Sequence, residues 1–487
     1  MDESIALGAY PAPVPVPAAR VAEAAARTNR VLIVLDDDPT GTQSVADLPV
    51  LTSWEPDDLR WALSQGARAV YVLTNTRSLD PDSAAERTRA VVGTASAVAA
   101  DLGTPIAFVS RGDSTLRGHY PLETDIVEET LRDATGRGVD GVVLVPAFPD
   151  AGRITIGGVH LMRTPEGLVP VAETEFARDA TFGYSCSDLA EWVAEKTRGR
   201  WAADQVVRLD LGVLRGGIDR IVAALLPLED ATPVIADAVL EDDLRLLALG
   251  LEAAEAAGKR LLYRVGPPFV RARIGQEARA PLTATDVFGT GGEDTGGEST
   301  GGEDTGGEST GGLVVVGSHV GLTSRQLAVL TGRGALERVL ELDVEQVLAG
   351  DDAQLDSLVD AAVDALGRGD VALHTSRHLR RTEDADESLD ISRRVSAAIV
   401  TVVERILARR RPRFVIAKGG ITSSDVATHG LGIRRALVRG PMLPGIVSLW
   451  EPVDGPARGV PYIVFAGNVG DDDSLAAVVA TLTRPSA

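Results

Sequence analysis

Between Gly289 and Gly312 the chain reads GTGGEDTGGESTGGEDTGGESTGG, one decamer written twice, without an apolar residue. Such a stretch has nothing to bury, and its glycines and carboxylates favour a flexible, self-repelling tether. A single hydrophobic core therefore cannot run the length of the 487 residues, and the chain is expected to fold as two bodies. The expected layout is an N-terminal tail over 1–30, a first domain over 31–285, the linker over 286–312 and a second domain over 313–487.

Both flanks of the tether carry the same rhythm of short apolar runs and helical spacing. Before it, strands are predicted at 31–36, 69–74, 106–110, 142–146, 206–210, 234–238 and 261–265, with helices at 56–65, 83–101, 122–137 and 240–258. After it, strands at 313–317, 338–342, 371–375, 414–417, 447–449 and 462–466 alternate with helices at 323–331, 352–366, 388–409 and 474–482. The rhythm is that of two α/β domains, each with a largely parallel sheet. Two such domains on a tether place the expected active site in the interdomain cleft.

The formal net charge of −22 argues against nucleic acid, whose phosphates would be repelled. An anionic ligand would need a local basic pocket. The lone cysteine, Cys186, excludes an intrachain disulfide framework and suits a cytoplasmic protein. No apolar run reaches the roughly 18 residues of a membrane span. The acidic start, passing into PAPVPVPA, reads as extended polyproline rather than a secretory signal.

The run 31–43, VLIVLDDDPTGTQ, joins a strand apolar on both faces to Asp36, Asp37 and Asp38, then Pro39, Thr40 and Gly41. Open parallel sheets bind ligands beyond the carboxyl ends of their strands, so these acids stand where chemistry is expected. Three further strand ends are polar: 74–77 with Arg77, 110–118 with Arg111, Asp113, Ser114 and Arg117, and 146–153, which ends at Arg153. Arginine forks pair carboxylates, and hydroxyls with Asp suit sugar hydroxyls, so the ligand implied is small, anionic and polyhydroxylated. His119 follows the third loop, but a lone histidine is more often structural than catalytic.

In the second half, Gly317-Ser318, Lys418-Gly419-Gly420-Ile421-Thr422 and Gly467-Asn468-Val469-Gly470 each leave a strand. Glycines at strand-to-helix turns let backbone N–H groups approach phosphate. Three such turns in one domain make a nucleotide site. A rival reading takes Asp36-x-Asp38-x-Thr40 as the nucleophile loop of a haloacid dehalogenase-like phosphatase, with Lys418 and 470–473 completing it. That core would be split across the tether.

Taken together, Asp37-Asp38-x-Thr40-Gly41, the loop from Arg111 to Gly118, Pro146 to Gly152, Gly317-Ser318, Gly419-Gly420-x-Thr422 and Gly467-Asn468-x-Gly470 resemble the motifs of the four-carbon acid sugar kinase family. The resemblance implies an N-terminal acid-sugar domain, a C-terminal ATP domain and phosphoryl transfer to the terminal hydroxyl of threonate, erythronate or 3-oxo-tetronate. On it, Asp37 or Asp38 acts as base or orienter, and Arg111 and Arg117 hold the carboxylate. Asp36, Thr40, Gly41, Arg77, Asp113 and Ser114 complete the sugar site. Ser318, Lys418, Gly419, Gly420, Ile421, Thr422, Gly467, Asn468 and Gly470 would take ATP. Many members carry an acid where this chain has Ile421, so Asp425 or Asp471 is the candidate for Mg²⁺. The chain also has His319-Val320 where many members have a second serine. The implied partners are a sugar acid and ATP, without nucleic acid or membrane, in a chain compatible with a homo-oligomer. A sugar-acid sensor would use the same cradle but has no need of a nucleotide domain.

Removing one decamer, 291–300, is expected to leave melting temperature and turnover nearly unchanged. A large drop in a thermal scan would mean that the repeat packs against a domain.

Overall fold

The computed structural model describes residues 2–289, 310–350, 352–376 and 385–483, with side chains omitted at 385–390. The repeat at 290–309 lies outside the described residues. The chain divides into two compact units, Met1–Ala278 and Arg279–Ala487.

In the first unit the strands are β1 (Val31–Asp36), β2 (Leu48–Leu51), β3 (Ala69–Leu73), β4 (Ile106–Arg111), β5 (Gly141–Val145), β6 (Arg153–Ile156), β7 (Val159–Thr164), β8 (Gly167–Pro170), β9 (Val207–Leu209), β10 (Thr232–Ala236) and β11 (Leu261–Val265). Eight of them form the run β2-β3-β1-β4-β11-β5-β10-β9, every pairing in it parallel. β1 is buried along its whole length, as an apolar run between two neighbours must be. From β1 the chain first adds β3 on one side and then crosses to β4 on the other, which makes the β1/β4 boundary a topological switch point. β6, β7 and β8 form a separate antiparallel sheet.

The stretch before Val31, read as a tail, is partly built into this unit. Pro17 precedes the helix Ala18–Thr28, whose Ala18, Val21 and Ala25 are buried at helical spacing. The helix packs on Glu241–Ala256 and on Pro268–Arg273. Gly275, at φ +68°, lets the chain pass so close that a Cβ there would strike the Ala22 nitrogen and the Ala18 carbonyl.

The second unit adds β12 (Leu313–Val316), β13 (Arg338–Leu342), β14 (Val371–Thr375), β15 (Val415–Lys418), β16 (Arg435–Leu443), β17 (Val447–Pro452) and β18 (Tyr462–Phe465). Their order is β13-β14-β12-β15-β18-β17-β16, parallel through β18 and antiparallel at its last two pairings. Both units are thus α/β with largely parallel sheets. Residues 279–285, assigned by sequence to the first domain, cluster with the second unit. The Leu282 N–H donates to the Pro441 carbonyl at 2.8 Å, and Leu282 is buried among Val314, Phe414 and Met442. Among the described residues no helix is long and apolar enough to cross a membrane.

Val21→Asp would set an unpaired carboxylate in a dry helix interface and is expected to cost at least about 2 kcal/mol in urea unfolding. An unchanged midpoint would mean that the N-terminal helix is dispensable.

Candidate active site

Strand register builds the candidate site of the first unit. β1 and β4 pair so that Leu35 stands beside Ser110 and Asp36 beside Arg111. The Arg111 Nε donates to Asp36 Oδ1, and its Nη2 donates to the Asp38 carbonyl while lying 3.4 Å from Asp37 Oδ1. Arg77, in the turn after β3, holds Asp37 with two donors, Nε to Oδ2 at 3.1 Å and Nη2 to Oδ1. Its Nη1 lies 3.6 Å from Asp38 Oδ2. Asp38 caps the short 3₁₀ helix Pro39–Ser44, accepting from the Thr40 N–H at 3.0 Å and from the Thr40 hydroxyl. Gly41 is glycine for a steric reason, because a Cβ there would collide with Asp36 Oδ1 and Arg111 Nε.

Three carboxylates thus face two guanidiniums, leaving one excess negative charge. Burial pushes Asp36 up to about 7, against the opposing pull of Arg111, and its Oδ2 is buried without a hydrogen-bond partner among the described residues. At Asp38, burial would also raise the carboxyl, but the charges of Arg77 and Arg111 and the bonds from Thr40 outweigh it and hold the group below its ordinary value. Exposure separates the members. The Asp37 and Arg111 side chains are 2% exposed, whereas Asp38 is 19% and Arg77 18% exposed. Arg111, expected to hold a substrate carboxylate, is instead consumed within the protein as counter-charge to the acids.

The loop after β4 is tied down at its carbonyls. The His160 Nε2 lies 2.8 Å from the Ser114 carbonyl, Tyr184 donates its hydroxyl to the Thr115 carbonyl at 2.8 Å, and the Arg264 Nη2 reaches the Arg117 carbonyl at 3.4 Å. Leu116 is held at φ +67°, costly for a non-glycine residue and tolerated where surroundings over-determine the backbone. Asp113 accepts from the Thr115 hydroxyl and from the Arg117 Nε at 2.6 Å. Burial opposes its charge, but Arg77 and Arg117 hold its carboxyl far below the usual range. Beneath lies a layer that motif reading missed. Arg264 donates to Ser110 at 2.9 Å and to Glu123 at 3.0 Å, and Glu123 also accepts from Thr76 at 2.5 Å. The one arginine inside the apolar run 261–265 was the available signal. His119 is buried with its Nε2 near the Thr76 and Leu79 carbonyls, a structural setting.

In the second unit the three glycine turns converge. The Gly317 and Ser318 N–H groups donate to the Lys418 carbonyl at 3.3 and 3.4 Å. Thr323 donates to the Gly467 carbonyl at 2.8 Å. A Cβ on Gly317 would strike Thr422, and one on Gly467 would come within 2.6 Å of Ser318 Oγ. Gly419, at φ +128°, and Gly470, at +81°, adopt backbone closed to most side chains. Ser318, Gly419, Gly420, Thr422 and Gly467 are therefore neighbours, while Asn468 and Ile421 stand exposed nearby in the chain. Lys418 departs from expectation as a ligand group. It is fully buried, donates to the Ala466 carbonyl at 2.6 Å and sits 3.8 Å from the Phe465 ring centre, and burial lowers it to about 7. Its side chain steadies the last glycine turn.

The metal candidates stand apart in their bonding. Asp425 accepts from Ser396, and Asp471 accepts from the Ser474 hydroxyl at 2.7 Å. Among the described residues no cluster of three or more His, Cys, Asp or Glu offers a metal site.

Comparison with known proteins decides the lineage. Residues 32–273 match the sugar-binding N-terminal domain and residues 313–475 the nucleotide-binding C-terminal domain. The chain belongs to the four-carbon acid sugar kinase family. A relative named D-erythronate kinase from Heliobacterium modesticaldum is 29% identical over 235 residues, 45% of this chain and 47% of that protein. The chain thus spans about half the length of the curated relative it matches. Two solved structures share the fold. One is a Haemophilus influenzae protein, with TM-score 0.59 at 18% identity, covering 92% of this chain and all of that one. The other is a Salmonella typhimurium LT2 protein, with TM-score 0.62 at 20% identity, covering 92% and 98%.

The raised value at Asp36 has a definite sign. A carboxyl whose folded value lies above its unfolded value contributes stability at acid pH, and this is lost as pH rises from about 4 to about 7. Asp36→Asn removes that titration. Its urea midpoint relative to wild type is expected to improve between about pH 5 and about pH 8. A constant or worsening difference would mean that Asp36 is ionised throughout.

Proposed function

We propose that this chain is an ATP-dependent kinase that phosphorylates the terminal hydroxyl of a four-carbon sugar acid: erythronate, threonate or 3-oxo-tetronate. The observation that carries the reading is the charge lattice at the β1/β4 switch point. Of its three acids only Asp38 is appreciably exposed, and its Oδ2 lies beside Arg77. The name of the Heliobacterium relative supports erythronate as the first substrate to try.

In this reading Asp38 accepts a hydrogen bond from the attacking hydroxyl and orients it. Its lowered value makes it a better orienter than proton store, which suits phosphoryl transfer, where positioning and charge neutralisation outweigh proton abstraction. Asp37 and Asp36 act through the arginines, fixing Arg77 and Arg111 and through them Asp38. The backbone at Gly420 and Gly467 holds the ATP phosphates, with Ser318, Gly419, Thr422 and Gly470 shaping the turns. Asp471 or Asp425 would hold Mg²⁺, which when bound neutralises charge on the phosphates. The phosphatase alternative needs an open Asp36 nucleophile, whereas Asp36 is wholly buried and paired with Arg111.

Incubating the full-length chain with ATP, Mg²⁺ and a panel of four-carbon acids is expected to yield ADP and a phosphorylated acid. Asp38→Asn should lower kcat by ~10²–10⁴-fold without changing ATP affinity, and no phosphoryl-aspartate should be trapped at any stage. Wild-type inactivity toward every acid, or a trapped phosphoenzyme, would refute the reading.

A further inference from the structure

The arginines at the strand ends of the first unit sort by what holds them. Arg111 is spent on Asp36, Asp37 and the Asp38 carbonyl, and Arg77 on Asp37 and Asp38. Arg264 serves Ser110 and Glu123, and Arg271 serves Glu241 and Asp150. Arg117 is paired with Asp113 and lies 3.8 Å from Asp179, stands over the Phe176 ring and remains 24% exposed. Arg153 is different. Its Nη1 donates to the Ala151 carbonyl at 2.9 Å. It forms no ion pair with any described carboxylate, and its buried Nε–H has no acceptor among the described residues. An unanswered buried donor on a cation is costly and calls for a partner.

The hairpin shows where Arg153 is presented. Thr155 on β6 stands opposite His160 on β7, and residues two apart on a strand share a face. Arg153 therefore shares the face carrying Thr155 and His160. His160 is held at 2.9 Å from the Thr155 hydroxyl and at 2.8 Å from the Ser114 carbonyl, so this face lies on the loop 113–117. Arg153 is near enough there for its charge to act on both Asp113 and Arg117.

We infer that Arg153, together with Arg117, receives the carboxylate of the acid substrate. The inference rests on the sugar-acid kinase reading and sharpens it. Arg117 answers Asp113 and, at 3.8 Å, Asp179, which leaves Arg153 as the cation with no carboxylate of its own for an incoming carboxylate to neutralise. The lattice around Arg111 already holds one negative charge too many and would repel it. A planar fork also suits a carboxylate better than a point charge does.

The test is calorimetry on the full-length chain with erythronate and with erythritol, the uncharged four-carbon polyol, as probes. Arg153→Met and Arg153→Gln are expected to weaken erythronate about 10–100-fold, with erythritol affinity, ATP affinity and melting temperature unchanged. Arg153→Lys should restore part of the loss. In turnover, KM for the acid should rise by a similar factor while kcat stays within a few-fold. Wild-type erythronate affinity in both neutral variants would overturn the inference. Equal losses for erythronate and erythritol would also overturn it, since they would make Arg153 a merely structural residue. A wild-type chain that binds ATP but no four-carbon acid would sink the kinase reading and this inference with it.

Discussion

The ion pair between Asp36 and Arg111 is the constraint on which the first unit's chemistry depends. Adjacent parallel strands deliver both side chains to one level of the sheet, where neither is appreciably exposed. Removing one partner of such a pair leaves a buried charge and typically costs about 3–5 kcal/mol. The other site groups are hung from this pair. Arg111 reaches Asp37 and the Asp38 carbonyl, Arg77 reaches back to Asp37, and Gly41 is kept bare so that the turn can close over both partners. Asp38 owes its position to groups that never need to meet a ligand.

The second unit reaches a comparable rigidity by other means. Its turns are fixed by steric closeness rather than charge, with Ser318, Thr422 and Gly467 packed so that side chains at the glycines would collide. Lys418, buried against Phe465 and bonded to the Ala466 carbonyl, contributes to that rigidity without presenting its ammonium.

Much of this was legible in the sequence because apolar runs bounded by turn residues admit few readings. β1, β11, β13 and β14 fall where the runs do. The hairpin β6–β7 was missed, although Gly157 and Gly158, both at positive φ, lie between alternating strands as a tight hairpin requires. β2 is only four residues long and carries too little pattern to detect. At the site, the acids of 36–38 and the glycine turns announced themselves as local clusters. The Arg264–Glu123 pair joins residues 141 apart, and only the placing of β11 beside β4 brings them together. The pairing of Arg111 escaped the sequence for a related reason. Residue type shows that a guanidinium can hold a carboxylate, but only the register shows that it already holds one.

That register has a consequence for how the chain arrives at its fold. Sliding β4 along β1 by one residue would leave most of the apolar contacts plausible, since β1 is buried throughout and β4 from Phe108 on. It would set Ser110, not Arg111, beside Asp36, stranding a carboxylate in a dry interior with no counter-charge. A sheet centre built from interchangeable valines, leucines and isoleucines has little else with which to reject a misaligned pairing. The buried pair therefore also proofreads strand alignment.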